Sequence, residues 1–258
     1  MSAVDYFAAL RTIFEKVEQT QLDAIRSAGR LGAAAVLGGG LIHVFGTGHS
    51  HLLAEELYYR AGGLLTVNAI LEPSVMLHEG GAKSSAVERL PGMARAVIDQ
   101  EPVRQGDLMI IASNSGRNAM PVEMALEAQA RGARVVAVTS LAHSQGQTPN
   151  NPPGKKLYEV ADVVIDNGGV PGDAVVVLPG LPVRACATST AVGAAIVQAI
   201  VAEVIDGILA AGQVPPVIQS GNVEGSQAYN QRLVETYGDR AAPRLKLEWA
   251  NRKGDSRG

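Results

Sequence analysis

Cysteine and aromatic residues are scarce in this sequence. Its 258 residues include one cysteine, Cys186, and aromatic residues make up 4% of the chain. A lone cysteine cannot form an intramolecular disulfide, which excludes a small disulfide-rich scaffold. Because 47% of the residues are hydrophobic, the chain is able to bury a sizeable core without such links. We expect Cys186 to be a small buried residue.

The sequence also has no excess of positively charged residues. The formal net charge is -3, and charged residues make up 18%. This balance lacks the basic surface that nucleic acids and anionic membranes attract, so we expect neither as a partner. The N-terminus has no basic region followed by an apolar stretch and a cleavage site, which favours a cytoplasmic location. A small molecule is the expected partner.

The longest apolar segment, residues 191–211, does not predict a membrane span. Gln198, Glu203 and Asp206 interrupt it. These side chains are costly on a helix that faces lipid. We therefore predict a buried core helix.

Apolar periodicity predicts alternating helices and strands. Residues 5–37 carry apolar side chains at helical spacing and predict one long or broken N-terminal helix. Strands are predicted at residues 41–45, 64–68, 108–112, 135–138, 163–166 and 174–177, and helices at 51–60, 86–99 and 119–131. Such alternation indicates right-handed crossovers, a parallel sheet and the α/β class.

The same pattern predicts three parts of the chain. Residues 1–37 form a helical extension that packs on the core or on a dimer partner, residues 38–212 form the α/β domain, and residues 213–258 form a C-terminal extension. The stretch 144–155 consists of turn-forming residue types, which is typical of a mobile lid.

Two common phosphate-binding motifs are incomplete in this chain. Gly46 and Gly48 supply the first two glycines of the dinucleotide fingerprint, but its third position is His51. The second strand ends near Asn68 rather than at an acidic residue, so a hydride-transfer enzyme is not indicated. The sequence Gly154-Lys155-Lys156 lacks the following Ser or Thr of a nucleoside triphosphate loop.

Two serine loops remain as candidates for binding an anion. Gly46-x-Gly48-x-Ser50 follows the first strand, and Ser113-Asn114-Ser115-Gly116 follows the third. Amides and hydroxyls that converge at a helix start form an anion site. The alternative is that Ser50 and Ser113 only cap helices. Because two such loops would face one crevice at the carboxyl edge of the sheet, their pairing favours ligand binding.

These loops resemble those of the sugar isomerase (SIS) family, over roughly residues 31–209. Within that family, the stretches at 46–51, 54–57, 68–73, 154–157 and 162–167 resemble a bacterial single-domain subgroup that includes N-acetylglucosamine 6-phosphate dehydratase activity. The resemblance implies a flavodoxin-like α/β/α core with a five-stranded parallel sheet, a homodimer and a sugar-phosphate ligand. It also implies that the loop at 113–116 holds the phosphate. Asn118 stands where the family pattern has a threonine that contacts it.

Catalysis on a sugar phosphate needs a base next to the carbonyl and a group that protonates or stabilises an oxygen. Glu55 is the first candidate for the base. His51 and Glu55 share a helix face as an i, i+4 pair close to Ser50, and His51 or His49 would act at the oxygen. The alternative for Glu55 is an ordinary charge on a solvent-facing helix.

The remaining candidates lie in loops after other strands. Glu72 follows the second strand and is predicted to hold sugar hydroxyls, with an ordinary loop charge as the alternative. Ser140 follows the fourth strand and is a further predicted ligand-binding residue. His78 and His143 lie in loops at the same edge, within reach of a site directly or across a dimer interface, but for a lone histidine a non-functional role is favoured. No spacing offers a closed set of metal ligands, and no cofactor is expected.

The sequence thus leaves function hypotheses of two classes. The first is an enzyme that abstracts the C2 proton of an amino-sugar 6-phosphate, with dehydration of N-acetylglucosamine 6-phosphate favoured by the subgroup resemblance alone. Reprotonation of the same intermediate would make it an isomerase instead. The second class is a sensor that binds a sugar phosphate and signals to a partner. Neither composition nor spacing decides between elimination and isomerisation.

Overall fold

A five-stranded parallel sheet forms the centre of the protein in the computed structural model, which describes residues 2–237. Its strands are β1 (Ile42–Gly46), β2 (Val67–Ile70), β3 (Leu108–Ala112), β4 (Arg134–Thr139) and β5 (Val163–Asp166), in the order β2-β1-β3-β4-β5. This is the flavodoxin-like strand order. The predicted α/β fold with five parallel strands is therefore confirmed.

Nine helices accompany these strands within the described residues. They are α1 (Ser2–Leu37), α2 (Leu52–Leu57), α3 (Gly81–Val87), α4 (Met93–Ile98), α5 (Ala119–Ala130), α6 (Leu141–Gln145), α7 (Leu157–Val160), α8 (Ser189–Ala210) and α9 (Ser226–Tyr237). Short 3₁₀ turns occupy Gly48–His51 and Pro73–Val75. Residues 238–258 of the predicted C-terminal extension lie outside the described residues, and the domain limits at 37 and 212 stay predictions.

Helices cover both faces of the sheet. Alternate strand residues point to opposite sides, so Val44 packs in the layer of α1 and α8 while Phe45 packs in the layer of α4 and α5. Both side chains are fully buried. Three layers, α/β/α, result from this alternation.

Close packing joins α1 to α8. A Cβ added at Gly29 would lie 2.3 Å from the Cβ of Glu203, and one added at Gly32 would lie 2.5 Å from Val204. Only glycine permits the two helices to approach this closely. The predicted N-terminal helix is thus an integral part of one layer of the core.

The apolar helix α8 is long and apolar enough to cross a membrane by length and composition. In this structure it packs against α1 and α2 instead, with Val197 and Val204 fully buried. Gln198, one of its interrupting polar residues, donates a hydrogen bond to Glu56 at 3.0 Å. Helix α8 is therefore a core helix of the α/β fold, as predicted.

Several predicted boundaries are wrong for identifiable reasons. The second strand begins at Val67 rather than residue 64, because Gly62 and Leu65 donate backbone hydrogen bonds to Ile218 and Pro216. The predicted helix at 51–60 ends at Leu57, since Tyr59 has a left-handed φ of 48°.

The other corrections lie further along the chain. The predicted helix at 86–99 is interrupted, because α3 ends at Val87 and α4 begins at Met93, after Gly92 with its φ of 81°. Residues 174–177 do not join the parallel sheet, because β6 (Ala174–Val176) pairs antiparallel with β7 (Ala185–Ala187). Cys186, which was expected to be buried, is exposed on this hairpin.

Candidate functional site

Two loops meet at the carboxyl edge of the sheet. Gly46 at the end of β1 is in register with Ala112 at the end of β3, so the loops that follow these strands lie side by side. A pocket with an open volume of about 270 Å³ is found here. Its lining includes four predicted residues, namely His49, Ser50, Ser113 and Asn114.

The first loop is shaped by Gly46 and Gly48. A Cβ at Gly46 would lie 2.5 Å from the backbone of Ser50, and Gly48 has a φ of 55°. Both positions therefore require glycine. Ser50 belongs to the 3₁₀ turn Gly48–His51, and its amide donates to the carbonyl of Thr47 at 3.0 Å. It does not cap a regular helix, which was the alternative to ligand binding.

The second loop closes on itself through Ser113. The amide of Gly116 donates to Ser113 Oγ at 3.1 Å, which leaves the hydroxyl hydrogen of Ser113 available to a ligand. A Cβ at Gly116, whose φ is 56°, would lie 3.1 Å from Leu157. Helix α5 begins at Ala119, with Asn118 as its N-cap residue, rather than at Gly116. Ser115 and Gly116 thus form a loop and not the start of a helix.

Glu88 joins the two loops, and sequence reasoning missed it. Its carboxylate accepts a hydrogen bond from Thr47 Oγ1 at 2.8 Å and another from Asn118 Nδ2 at 2.6 Å. Thr47 belongs to the first loop, and Asn118 ends the second. Asn118, predicted to contact phosphate, thereby directs its amide to Glu88 and does not line the pocket.

His51 and Glu55 form the predicted i, i+4 pair, with His51 Nε2 3.4 Å from Glu55 Oε1. His51 Nδ1 is bonded to the carbonyl of Gly48, so Nε2 carries a proton towards Glu55 only in the charged imidazole. His51 is buried, whereas 45% of the Glu55 side chain is exposed. The pair lies beside the pocket without lining it, while His49 does line it.

Glu72 and Ser140 have structural roles in this conformation. Glu72 Oε1 accepts from the amide of Ser74 at 2.9 Å and caps the turn Pro73–Val75. Ser140 is fully buried, donates its hydroxyl to the carbonyl of Gly169 at 2.7 Å, and accepts from the amide of His143. The structure does not bring either side chain to the pocket lining.

The opposite wall of the pocket comes from later parts of the chain. Asn167 donates to Asn114 Oδ1 at 2.8 Å, and Ser189 and Thr190 line the pocket at the start of α8. Asp173 accepts from the amides of Thr188 and Ser189 at 3.1 and 2.9 Å. No local sequence pattern connects Asn167 or Asp173 with the pocket.

A buried cation lies behind the second loop. Lys156 is 5% exposed, and its ammonium group donates to the carbonyls of Ser144 and Gln145. The next residue, Leu157, donates its amide to the carbonyl of Gly116 at 2.9 Å. Between residues 2 and 237, Lys156 has no ion-pair partner. Its charge therefore favours an anion at the neighbouring loop.

The SIS domain profile matches residues 5–140, which is more than half of the chain and includes both loops. The chain belongs to the SIS domain family. This confirms the family that the two serine loops predicted. The resemblance to a dehydratase subgroup is a finer statement and is taken up below.

Known relatives of this SIS domain are similar over nearly its whole length. A UPF0309 protein of Halalkalibacterium halodurans is 44% identical over 236 residues, covering 92% of this chain and 98% of the relative. Another, from Geobacillus thermodenitrificans, is 43% identical over 235 residues, covering 91% and 94%.

Solved structures show the same fold at low sequence identity. The phosphoheptose isomerase of Neisseria gonorrhoeae has a TM-score of 0.51 at 18% identity, covering 81% of this chain and 97% of that one. A phosphoheptose isomerase of Francisella tularensis has a TM-score of 0.53 at 14% identity, covering 79% and 98%.

Replacing Glu88 tests its role in this SIS domain. We predict that Glu88→Ala lowers the free energy of unfolding by about 1–3 kcal/mol, because the Thr47 hydroxyl and the Asn118 amide lose their acceptor. Urea unfolding followed by circular dichroism measures the change. Glu18→Ala, at an exposed position of α1, is the control and should change stability by less than about 0.5 kcal/mol. Equal stability of the two variants would contradict the assigned role.

Proposed function

We propose that this protein is a cytoplasmic sugar-phosphate enzyme that abstracts the C2 proton of an amino-sugar 6-phosphate. The observation that carries the proposal is the convergence of the Ser50 loop and the Ser113–Gly116 loop on one small pocket. Membership in the SIS family and the shared fold of two phosphoheptose isomerases support a phosphosugar ligand.

The phosphate would bind at the second loop. Ser113 has its hydroxyl hydrogen available, Ser115 is partly exposed in the same loop, and the buried ammonium of Lys156 lies behind it. These groups provide donors and positive charge without an exposed basic patch. Hydroxyls of the sugar would then face His49 and Ser50 on one side and Ser189 and Thr190 on the other.

The phosphate assignment predicts a large effect of removing both serine hydroxyls. The double variant Ser113→Ala with Ser115→Ala should bind N-acetylglucosamine 6-phosphate more weakly by about 3–6 kcal/mol, since two charge-assisted hydrogen bonds are lost. Isothermal titration calorimetry measures the affinity. Ser85→Ala, at an exposed position on α3, is the matched control. Unchanged affinity of the double variant would disprove the phosphate site.

The reaction we propose begins with proton transfer from C2 of the open-chain sugar to Glu55. The resulting enolate expels the C3 hydroxyl, which leaves as water after it takes a proton from His51 or His49. Charged His51 is suited to this step because its Nε2 lies 3.4 Å from Glu55 and its Nδ1 is held by a carbonyl. Dehydration of N-acetylglucosamine 6-phosphate is the reaction that we favour.

Isomerisation is the second candidate for this site. It shares the first proton transfer, after which the intermediate is reprotonated on carbon and no water leaves. The fold shared with two phosphoheptose isomerases favours this outcome. Incubation with N-acetylglucosamine 6-phosphate distinguishes elimination from isomerisation. Elimination produces an unsaturated product that absorbs ultraviolet light, whereas the product of isomerisation does not absorb in this way. In deuterated water, either reaction should exchange the C2 proton for deuterium if proton transfer is reversible.

The role of Glu55 predicts a specific kinetic change. Glu55→Gln should lower turnover by about 10²-fold or more while binding survives, because the amide cannot accept the proton. Glu72→Gln should not slow turnover in this way, because Glu72 caps the turn Pro73–Val75 and does not line the pocket. Glu56→Gln is the neighbouring control, since Glu56 is bonded to Gln198 and Arg60 instead. Normal turnover in Glu55→Gln together with an inactive Glu72→Gln would show that Glu72, and not Glu55, is the base.

We further propose that two copies of the chain form a homodimer. Large apolar side chains are exposed on α1 and on the β6–β7 hairpin, including Val4 (66%), Phe7 (59%), Val177 (70%) and Val183 (65%). Tyr6 donates its hydroxyl to the carbonyl of Ala187 at 2.9 Å, so the two segments lie together. An apolar surface of this kind is typical of a protein interface.

Light scattering tests the dimer directly. At micromolar concentration the protein should have twice its chain mass of 26.8 kDa. Phe7→Glu should shift the equilibrium towards monomer, because a carboxylate would be buried in the interface. Gln19→Glu adds the same charge at an exposed polar position of α1 and should not. A monomeric native protein would overturn the proposal.

A further inference from the structure

Two asparagine side chains of the candidate pocket share a hydrogen bond. Asn114 belongs to the second loop, and Asn167 directly follows β5. Both line the pocket, although they are 53 positions apart in the chain. Their side chains meet at 2.8 Å. The pair is therefore a feature of the folded pocket and not of either loop alone.

The side chain of Asn167 has one possible orientation. The residue is buried, and the amide of Gly169 lies 2.9 Å from its side chain. Because a backbone N–H can only donate, the side-chain atom that it contacts must be the oxygen, Oδ1. The other polar atom, Nδ2, then faces Asn114 as a donor.

This orientation determines that of Asn114 in turn. Asn167 Nδ2 can only donate, so the atom of Asn114 that lies 2.8 Å away must be Oδ1. If the Asn114 amide turned over, two NH₂ groups would face each other and each would lose its acceptor, which costs free energy. Asn114 therefore presents Nδ2, and not Oδ1, on its remaining side.

The backbone holds both asparagines in place. Thr139, at the end of β4, accepts from the amide of Asn167 at 2.8 Å, and its hydroxyl donates to the carbonyl of Asn114 at 3.2 Å. A Cβ added at Gly169 would lie 2.9 Å from Asn167 Oδ1, so this close approach requires glycine. The arrangement is thus fixed from β4 and from the loop after β5.

The Nδ2 hydrogens of Asn114 are available to a ligand. Within residues 2–237, this atom donates to no acceptor. Asn114 is partly exposed and lies in the pocket lining, between Ser113 and Ser115 in sequence. A donor that its neighbours hold in one direction favours an acceptor atom at that place in the ligand.

We infer that Asn114 Nδ2 donates a hydrogen bond to an oxygen of the bound sugar phosphate, and that Asn167 is a positioning residue that keeps this donor directed at the ligand. The inference rests on the proposed function and adds a donor of defined orientation to it. A phosphate oxygen and a sugar oxygen both fit this donor. An ammonium group does not fit, because it has no acceptor atom.

Asn167→Asp tests the orientation in the protein without ligand. The carboxylate still accepts from the amide of Gly169 but has no hydrogen for Asn114 Oδ1, so the Asn114 amide should turn over and donate to position 167. The side-chain amide signal of Asn114 in ¹H–¹⁵N spectra should therefore shift. Asn222→Asp adds the same charge at an exposed position and should not shift it. An unchanged Asn114 signal in folded Asn167→Asp would overturn the inference.

Ligand affinity provides the second measurement, through a double-mutant cycle with Asn114→Leu. Asn167→Asp should weaken binding of N-acetylglucosamine 6-phosphate at least about tenfold more in the native background than in Asn114→Leu, because only the native background has a donor to lose. Direct repulsion between the new carboxylate and the phosphate is present in both backgrounds and cancels. Equal losses in calorimetry would show that Asn167 does not act through Asn114 and would overturn the inference. Asn167→Ala repeats the cycle without an added charge.

Inorganic phosphate as a second ligand locates the acceptor. Coupling between the two positions with inorganic phosphate supports a phosphate oxygen, and coupling only with the sugar phosphate supports a sugar oxygen. Absence of binding of either ligand by the native chain would contradict the proposed function and this inference with it. Native binding without coupling would contradict only the role of the two asparagines.

Discussion

A buried carboxylate at the start of β3 holds the central strands in register. The side chain of Asp107 is fully buried and accepts hydrogen bonds from the amides of Leu41 and Arg104, both at 2.9 Å, and from His43 Nε2 at 3.0 Å. Asn68 of β2 donates to the other ring nitrogen of His43 at 3.1 Å. With Nε2 as donor and Nδ1 as acceptor, both bonds suit the neutral imidazole.

This arrangement determines where the strands end at the other edge. Because β1 and β3 are parallel, a register fixed at Leu41 and Asp107 also fixes Gly46 opposite Ala112. The two serine loops start from these positions, and Glu88 then joins them. A shift by one residue would turn every side chain of β1 to the other face of the sheet. The pocket thus depends on a polar contact about one strand length away from it.

Sequence patterns predicted the parts of this structure that depend on short-range chemistry. Apolar runs bounded by glycine located β1 and β3, and the glycines and serines that follow them located both loops. His43 was unusual as a polar residue in an apolar run, and such residues are normally hydrogen-bonded when buried. Predicted boundaries were wrong where a distant segment takes the backbone hydrogen bonds of a predicted strand, as the carbonyls of Ile218 and Pro216 do with the amides of Gly62 and Leu65.

The candidate site was predicted only in part for the same reason. His49, Ser50, Ser113 and Asn114 line the pocket because each is close in sequence to the end of a strand. Folding of the whole chain brings Asn167 to the lining, and it brings Glu88 and Asp173 to residues of the loops and of the α8 start. Nothing in their neighbouring residues indicates it. Ser140 shows the opposite error. Its position after a strand correctly predicts the edge of the sheet at which it lies, but its hydroxyl donates to the carbonyl of Gly169 instead of facing the pocket.

The carboxylate of Asp173 at the start of α8 has a consequence for which ligands fit. A helix N-terminus normally attracts an anion, but here the chain supplies its own, bonded to the amides of Thr188 and Ser189. For the ligand proposed above, a phosphate at the Ser113 loop would leave neutral hydroxyls beside Ser189, because Asp173 accepts hydrogen bonds from the amide and the hydroxyl of Ser189. A sugar bisphosphate would bring its second phosphate towards this carboxylate, so the proposed site would favour monophosphates.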